Sequence, residues 1–248
     1  MAEEPLQPVK NPFTIEKLMQ TSLEKTGEKK GLRNVFSLLP QLEQGITKLQ
    51  YEGERPVFQL FTAQEALNGD CVWIDVENHS STYALADTGG RQVLEKVSIG
   101  RAFTPFQHHQ LCMNLEDFID EATEMIALPS ANGLYENGQI KTREGEELLE
   151  EALAHVKKLA EKENLKVLIS DSAKAEGELE YLTGVYSQDF ISVKQTGEGL
   201  RFSGQEFETL VYPDSGVLQT TIPLWMKKAG GGEKENGKNK RHVQATPR

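Results

Sequence analysis

The chain has 248 residues, 38% of them hydrophobic and 26% charged, and a formal net charge of −11 at pH 7. That apolar share supports one sizeable buried core, yet no apolar run reaches the roughly 20 residues of a membrane-spanning helix. Cys71 and Cys112 are the only cysteines, which excludes a disulfide scaffold, and both lie in apolar surroundings that suit buried free thiols.

The N-terminal MAEEPLQPVKNPF lacks the basic start and apolar stretch of a secretory signal, so a cytoplasmic location without membrane contact is expected. Charge is unevenly spread. Lys227–Arg248 holds seven basic and two acidic residues, a balance of +5, which leaves −16 on the remainder. So acidic a body argues against a broad basic face for duplex nucleic acid.

Residues 1–13 read as a disordered leader, followed by a short amphipathic helix presenting Ile15, Leu18, Met19 and Leu23. A charged connector occupies 24–34, so the leader region is 1–34. The main domain spans 35–226, and a disordered basic tail runs over 227–248. Within the domain, strand and helix patterns alternate, which predicts an α/β fold with a largely parallel sheet and helices on both faces. Ile46–Tyr51 is the first strand, followed by a helix over about 57–67. The apolar run Cys71–Val76 suits a buried strand. Tyr83–Ala86 reads as a short helix and Val97–Arg101 as the next strand. Asn114 is placed to cap a helix carrying Leu115, Phe118, Ile119 and Ala122, with Asp117 at the capping-box position. Glu124–Leu128 follows as a strand.

The clearest helix covers about 143–162, where Leu148, Leu149, Ala152, Leu153, Val156, Leu159 and Ala160 recur at three- and four-residue spacing. Leu165–Ser170 is the strand after it. From Phe190 the pattern changes to short strands with turn signals at Gly197 and Pro213-Asp214-Ser215-Gly216. This predicts an antiparallel meander closing one edge of the sheet.

Four segments in order resemble the ATPase core of RecA and RadA recombinases: LLPQLEQGITKL at 38–49, CVWIDVEN at 71–78, VSIGRAFTPFQHHQL at 97–111 and MIALPSANGLY at 125–135. The resemblance implies a RecA-like three-layer core and a degenerate, archaeal-type member of that family. In such a core the first strand leads into a phosphate-binding loop, G-x-x-x-x-G-K-[ST]. Its backbone N–H groups surround the phosphates, its Lys neutralises them, and its hydroxyl holds magnesium. Here the stretch is Glu52-Gly53-Glu54-Arg55-Pro56-Val57-Phe58-Gln59, with a single glycine and no Lys-Ser/Thr pair. Gly53, Arg55 and Pro56 are its degenerate positions. Arg55 is its one cation, and Pro56 suits the first turn of a helix.

The resemblance also implies a strand ending in a magnesium-supporting Asp. The family's order puts one helix between the Arg101 strand and that strand, which assigns the position to Pro129. Asp171, in VLISDS, would require an additional strand and the long helix between, and reads as a loop residue. Asp75 and Glu77 match an Asp-x-Glu whose Glu activates water in the family; together they are the candidate residual carboxylate site, or a solvated strand end. His108 and His109 diverge by about 100° on a helix and do not form a chelating pair.

The family's DNA-binding loops would fall at 134–144 and 171–189. The first carries Lys141 and Arg143 beside Tyr135; the second holds five acids and one Lys, a poor match for a phosphate backbone. Lys238, Lys240 and Arg241 in the tail are better candidates for weak nucleic-acid contact. Phe103 and Phe106, flanking Pro105, are the candidate interface anchors, with packing under the sheet as the rival role.

These readings predict a non-catalytic RecA/RadA-like binding protein whose partner is a recombinase or repair factor, with neither metal nor cofactor. Two other classes stay open: a metal-dependent enzyme built on Asp75, Glu77 and Asp171, and a nucleic-acid-binding module working through the tail.

Overall fold

The computed structural model describes residues 39–52, 56–76, 78, 80–136, 138, 140–214 and 217–220. The expected leader, N-terminal helix, connector and basic tail lie outside the described residues. Among the described residues nine strands form one sheet: β1 (Gly45–Glu52), β2 (Asp70–Val76), β3 (Val97–Ala102), β4 (Thr123–Leu128), β5 (Lys166–Ile169), β6 (Asp189–Gln195), β7 (Leu200–Ser203), β8 (Glu208–Asp214) and β9 (Val217–Thr220). Their order is β3-β2-β4-β5-β1-β6-β7-β8-β9. The first six run parallel, and β6 to β9 pair antiparallel as the expected meander.

Alternation along the strands divides the core into two layers. On one face Leu49, Cys71, Trp73, Met125, Ala127, Leu168, Ile191 and Val193 pack under α1 (Pro56–Glu65), α2 (Thr82–Gly89) and α3 (Arg91–Leu94). On the other, Ile46, Val72, Ile74, Ile126, Leu128, Val167 and Ile169 pack under α4 (Pro105–Met113) and α5 (Thr142–Glu163). The short helix α6 (Glu178–Tyr186) joins that second layer through Leu179 and Leu182, which meet Leu149 and Leu153 of α5. Burial on both faces explains why β2 and β4 read as continuous apolar runs.

Two segments correct the sequence reading. No α-helix follows Asn114; the helix precedes it, and Asn114 is the C-cap of α4. Residues 115–117 form a single 3-10 turn, and Phe118 is exposed. The start signal is Thr104-Pro105: the Thr104 hydroxyl accepts from the Gln107 N–H, and Pro105 occupies the first turn. The stretch 171–189, expected as a loop, contains α6. Both helices bury too few aliphatic side chains to show a stripe: α4 buries Pro105, His108 and Cys112.

His108 is the polar member of that set. Its Nδ1 lies 2.8 Å from the Tyr135 hydroxyl, and burial, reinforced by neighbouring His109, holds its pKa down at about 4 against an ordinary 6.5. The folded pKa lies below the unfolded one, so the full stability is present above pH 6.5. It is lost as the pH falls towards 4, because only the unfolded chain takes up the proton. Between pH 6.5 and 5 this group should cost about 2 kcal/mol of unfolding free energy. Urea unfolding of wild type and His108→Gln at both pH values measures it; the variant should lose most of that slope.

Candidate functional site

The C-terminal ends of β1, β2, β4 and β5 are where a parallel α/β sheet builds a ligand site. At the end of β1, Gly53 and Arg55 lie outside the described residues, while Pro56 opens α1. Proline's fixed φ and missing N–H suit that first position of the helix.

At the end of β2 the Asp75 carboxylate is 1% exposed and fully engaged. Oδ1 accepts from the Ser80 N–H at 2.7 Å, and Oδ2 accepts from the Ser80 hydroxyl at 2.8 Å. Arg101, its register partner on β3, places Nε 3.1 Å from Oδ2. The carboxylate therefore ties β2, β3 and the approach to α2 together. Glu77, the second member of the expected pair, lies outside the described residues.

After β4, Pro129 is buried and Ser130 adopts φ 50°. The turn is held against the end of β5: the Ser130 N–H donates to Ser170 Oγ at 3.0 Å, and the Ala131 N–H to the Ser170 carbonyl at 2.8 Å. One α-helix, α4, separates β3 from β4 and Pro129. Pro129 itself contributes neither a carboxylate nor an N–H.

Asp171 does follow the end of β5, as expected for a loop residue, but it anchors a network that the sequence reading missed. Lys48, on the central strand β1, is 2% exposed. Its ammonium pairs with Asp171 Oδ2, donates to Thr183 Oγ1 at 2.8 Å and reaches the Glu180 carbonyl at 3.2 Å. Asp171 Oδ1 also accepts from Thr183 Oγ1 at 2.6 Å and Asn132 Nδ2 at 2.9 Å. Asn132 Oδ1 in turn accepts from the Ser172 N–H at 2.8 Å, and Ser172 Oγ donates to Glu136 Oε2 at 2.8 Å. A lysine in step with buried Ile46, on the same face of β1, was the available signal.

Asp75 and Asp171 do not converge. β4 stands between their strands, and Asp75 belongs to the α1 face, whereas Asp171 meets Lys48 on the α6 face. Among the described residues no group of three His, Cys, Asp or Glu side chains could hold a metal ion. His108 and His109 point apart, the second reaching Glu151 Oε2 at 3.1 Å. The thiols of Cys71 and Cys112 are buried and free, and burial pushes both up to about 12, which makes them inert.

Phe103 and Phe106 are 68% and 53% exposed. They flank buried Pro105 at the Thr104 cap, where the Phe103 N–H donates to Gln107 Oε1 at 2.9 Å. Both rings stand outside the core. Tyr83, at the start of α2, is 83% exposed. Tyr135 is buried, and Arg143 pairs with Glu147. Lys238, Lys240 and Arg241 lie outside the described residues. The sequence matches no protein-family model and no curated protein.

Replacing Lys48 with Met should leave the Asp171 charge in a poorly solvated site and cost about 3 kcal/mol. Combining Lys48→Met with Asp171→Asn should recover part of that loss. Chemical denaturation of the two variants beside wild type gives both numbers.

Proposed function

We propose that this chain is a RecA/RadA-like pseudo-ATPase that acts in the cytoplasm as an accessory binding protein in DNA recombination or repair, with a recombinase or repair factor as its partner. The observation that carries the reading is Pro129. It follows β4 at the place where the resembled family needs a carboxylate, with the single helix α4 between β3 and β4. The parallel six-strand core with helices on both faces and an antiparallel extension supports the RecA-like assignment. The stretch 52–59 has no lysine to neutralise a triphosphate.

Binding in place of catalysis is supported by the surface. Exposed aromatics next to a buried proline form the kind of rigid apolar anchor that dominates protein interfaces. No helix among the described residues is long and apolar enough to cross a membrane.

Titration calorimetry with millimolar Mg-ATP should give no heat of binding. A micromolar dissociation constant, about −8 kcal/mol, would overturn the pseudo-ATPase reading. Phe106→Ala should leave the melting temperature unchanged, because its ring is exposed, while weakening partner binding by about 2 kcal/mol. A drop in stability of core size, about 3–5 kcal/mol, would remove Phe106 from the interface.

A further inference from the structure

The helix α6 carries apolar groups on two faces. Leu179 and Leu182 pack on α5. A second stripe, Gly177, Glu180, Tyr181, Gly184 and Val185, recurs at three- and four-residue spacing and faces a groove of ≈ 420 Å³ between α6 and the β1–β6 pair. Tyr181 and Val185 are exposed there, and Gln50 and Phe190 line the opposite side. A side chain added at Gly184 would meet nothing within 4 Å, so the glycine leaves the groove open.

We propose that this groove docks a cationic, apolar peptide segment of a partner protein. The proposal rests on the reading of the chain as a binding protein and names the chemistry of what it binds. The volume suits one or two large side chains, and the walls supplied by Tyr181, Val185 and Phe190 are apolar. Charge selects the rest. Lys48 lies at the floor, but Asp171 neutralises its ammonium. Glu180 lines the groove, and in the segment that leads to it Glu176 and Glu178 are exposed, as is Lys174. Three Glu against one Lys leave that stretch net negative, which attracts Lys or Arg next to an apolar anchor and repels a phosphate backbone.

The test uses the full chain, labelled for amide NMR, and two synthetic peptides: Lys-Lys-Leu-Trp-Lys and its counterpart with every Lys replaced by Glu. The lysine peptide should give saturable shifts at Gly177 and Gly184, weakened by salt, and the glutamate peptide should bind about tenfold less or worse. Gly184→Leu fills the groove while improving helix propensity; it should abolish binding with the melting temperature unchanged or raised. Glu180→Lys, an exposed change, should shift preference towards the glutamate peptide. Absence of saturable shifts at about 1 mM peptide, far weaker than any docking segment, would overturn the proposal. So would equal response to both peptides, or unaltered binding to Gly184→Leu. Shifts confined to Phe103 and Phe106 would also overturn it, yet leave the binding-protein reading standing. Binding of Mg-ATP would sink that reading independently.

Discussion

The ammonium of Lys48 sits on the central strand of a sheet buried on both faces, and a buried charge of that kind persists only when it is paired and hydrogen-bonded. Three groups meet that demand: the Asp171 carboxylate, the Thr183 hydroxyl and the Glu180 carbonyl. Two of them belong to α6, and the third begins the segment leading to it. The position of α6 over β1 is thus fixed by polar geometry as well as by Leu179 and Leu182. Asn132 extends the same constraint to the β4 turn through Asp171 and the Ser172 N–H. The orientation that satisfies Lys48 through Thr183 and the Glu180 carbonyl leaves Tyr181 and Val185 exposed along the groove that has Lys48 at its floor.

Elements with strong apolar periodicity were legible from the residues alone. α5 shows a stripe because it buries Leu149, Ala152, Leu153, Val156, Leu159 and Ala160, and β2 and β4 show apolar runs because both of their faces are covered. α4 and α6 left no such stripe, since each buries only three side chains within its span, His108 and Thr183 among them. Of the site, Asp75 was readable as a carboxylate at a strand end, but its engagement by Ser80 and Arg101 depends on β2–β3 register. Lys48 was hidden for a different reason: lysine reads as a solvent-facing residue unless its partner, 123 positions away in Asp171, is known to lie above it.

Asp75 at the end of β2 and Asp171 after β5 are each engaged by one of the protein's own cations. A metal ion approaching Asp75 would have to displace Arg101 and two hydrogen bonds from Ser80; one approaching Asp171 would have to displace Lys48, Asn132 and Thr183. Each displacement leaves a charge or donor unpaired in a low-dielectric site, which costs more than a surface contact returns. The same arrangements contribute to the fold, by holding β2 to β3 and β5 to β1. Among the described residues, the large side chains that stand outside this architecture include the exposed rings of Tyr83, Phe103, Phe106, Phe118 and Tyr181.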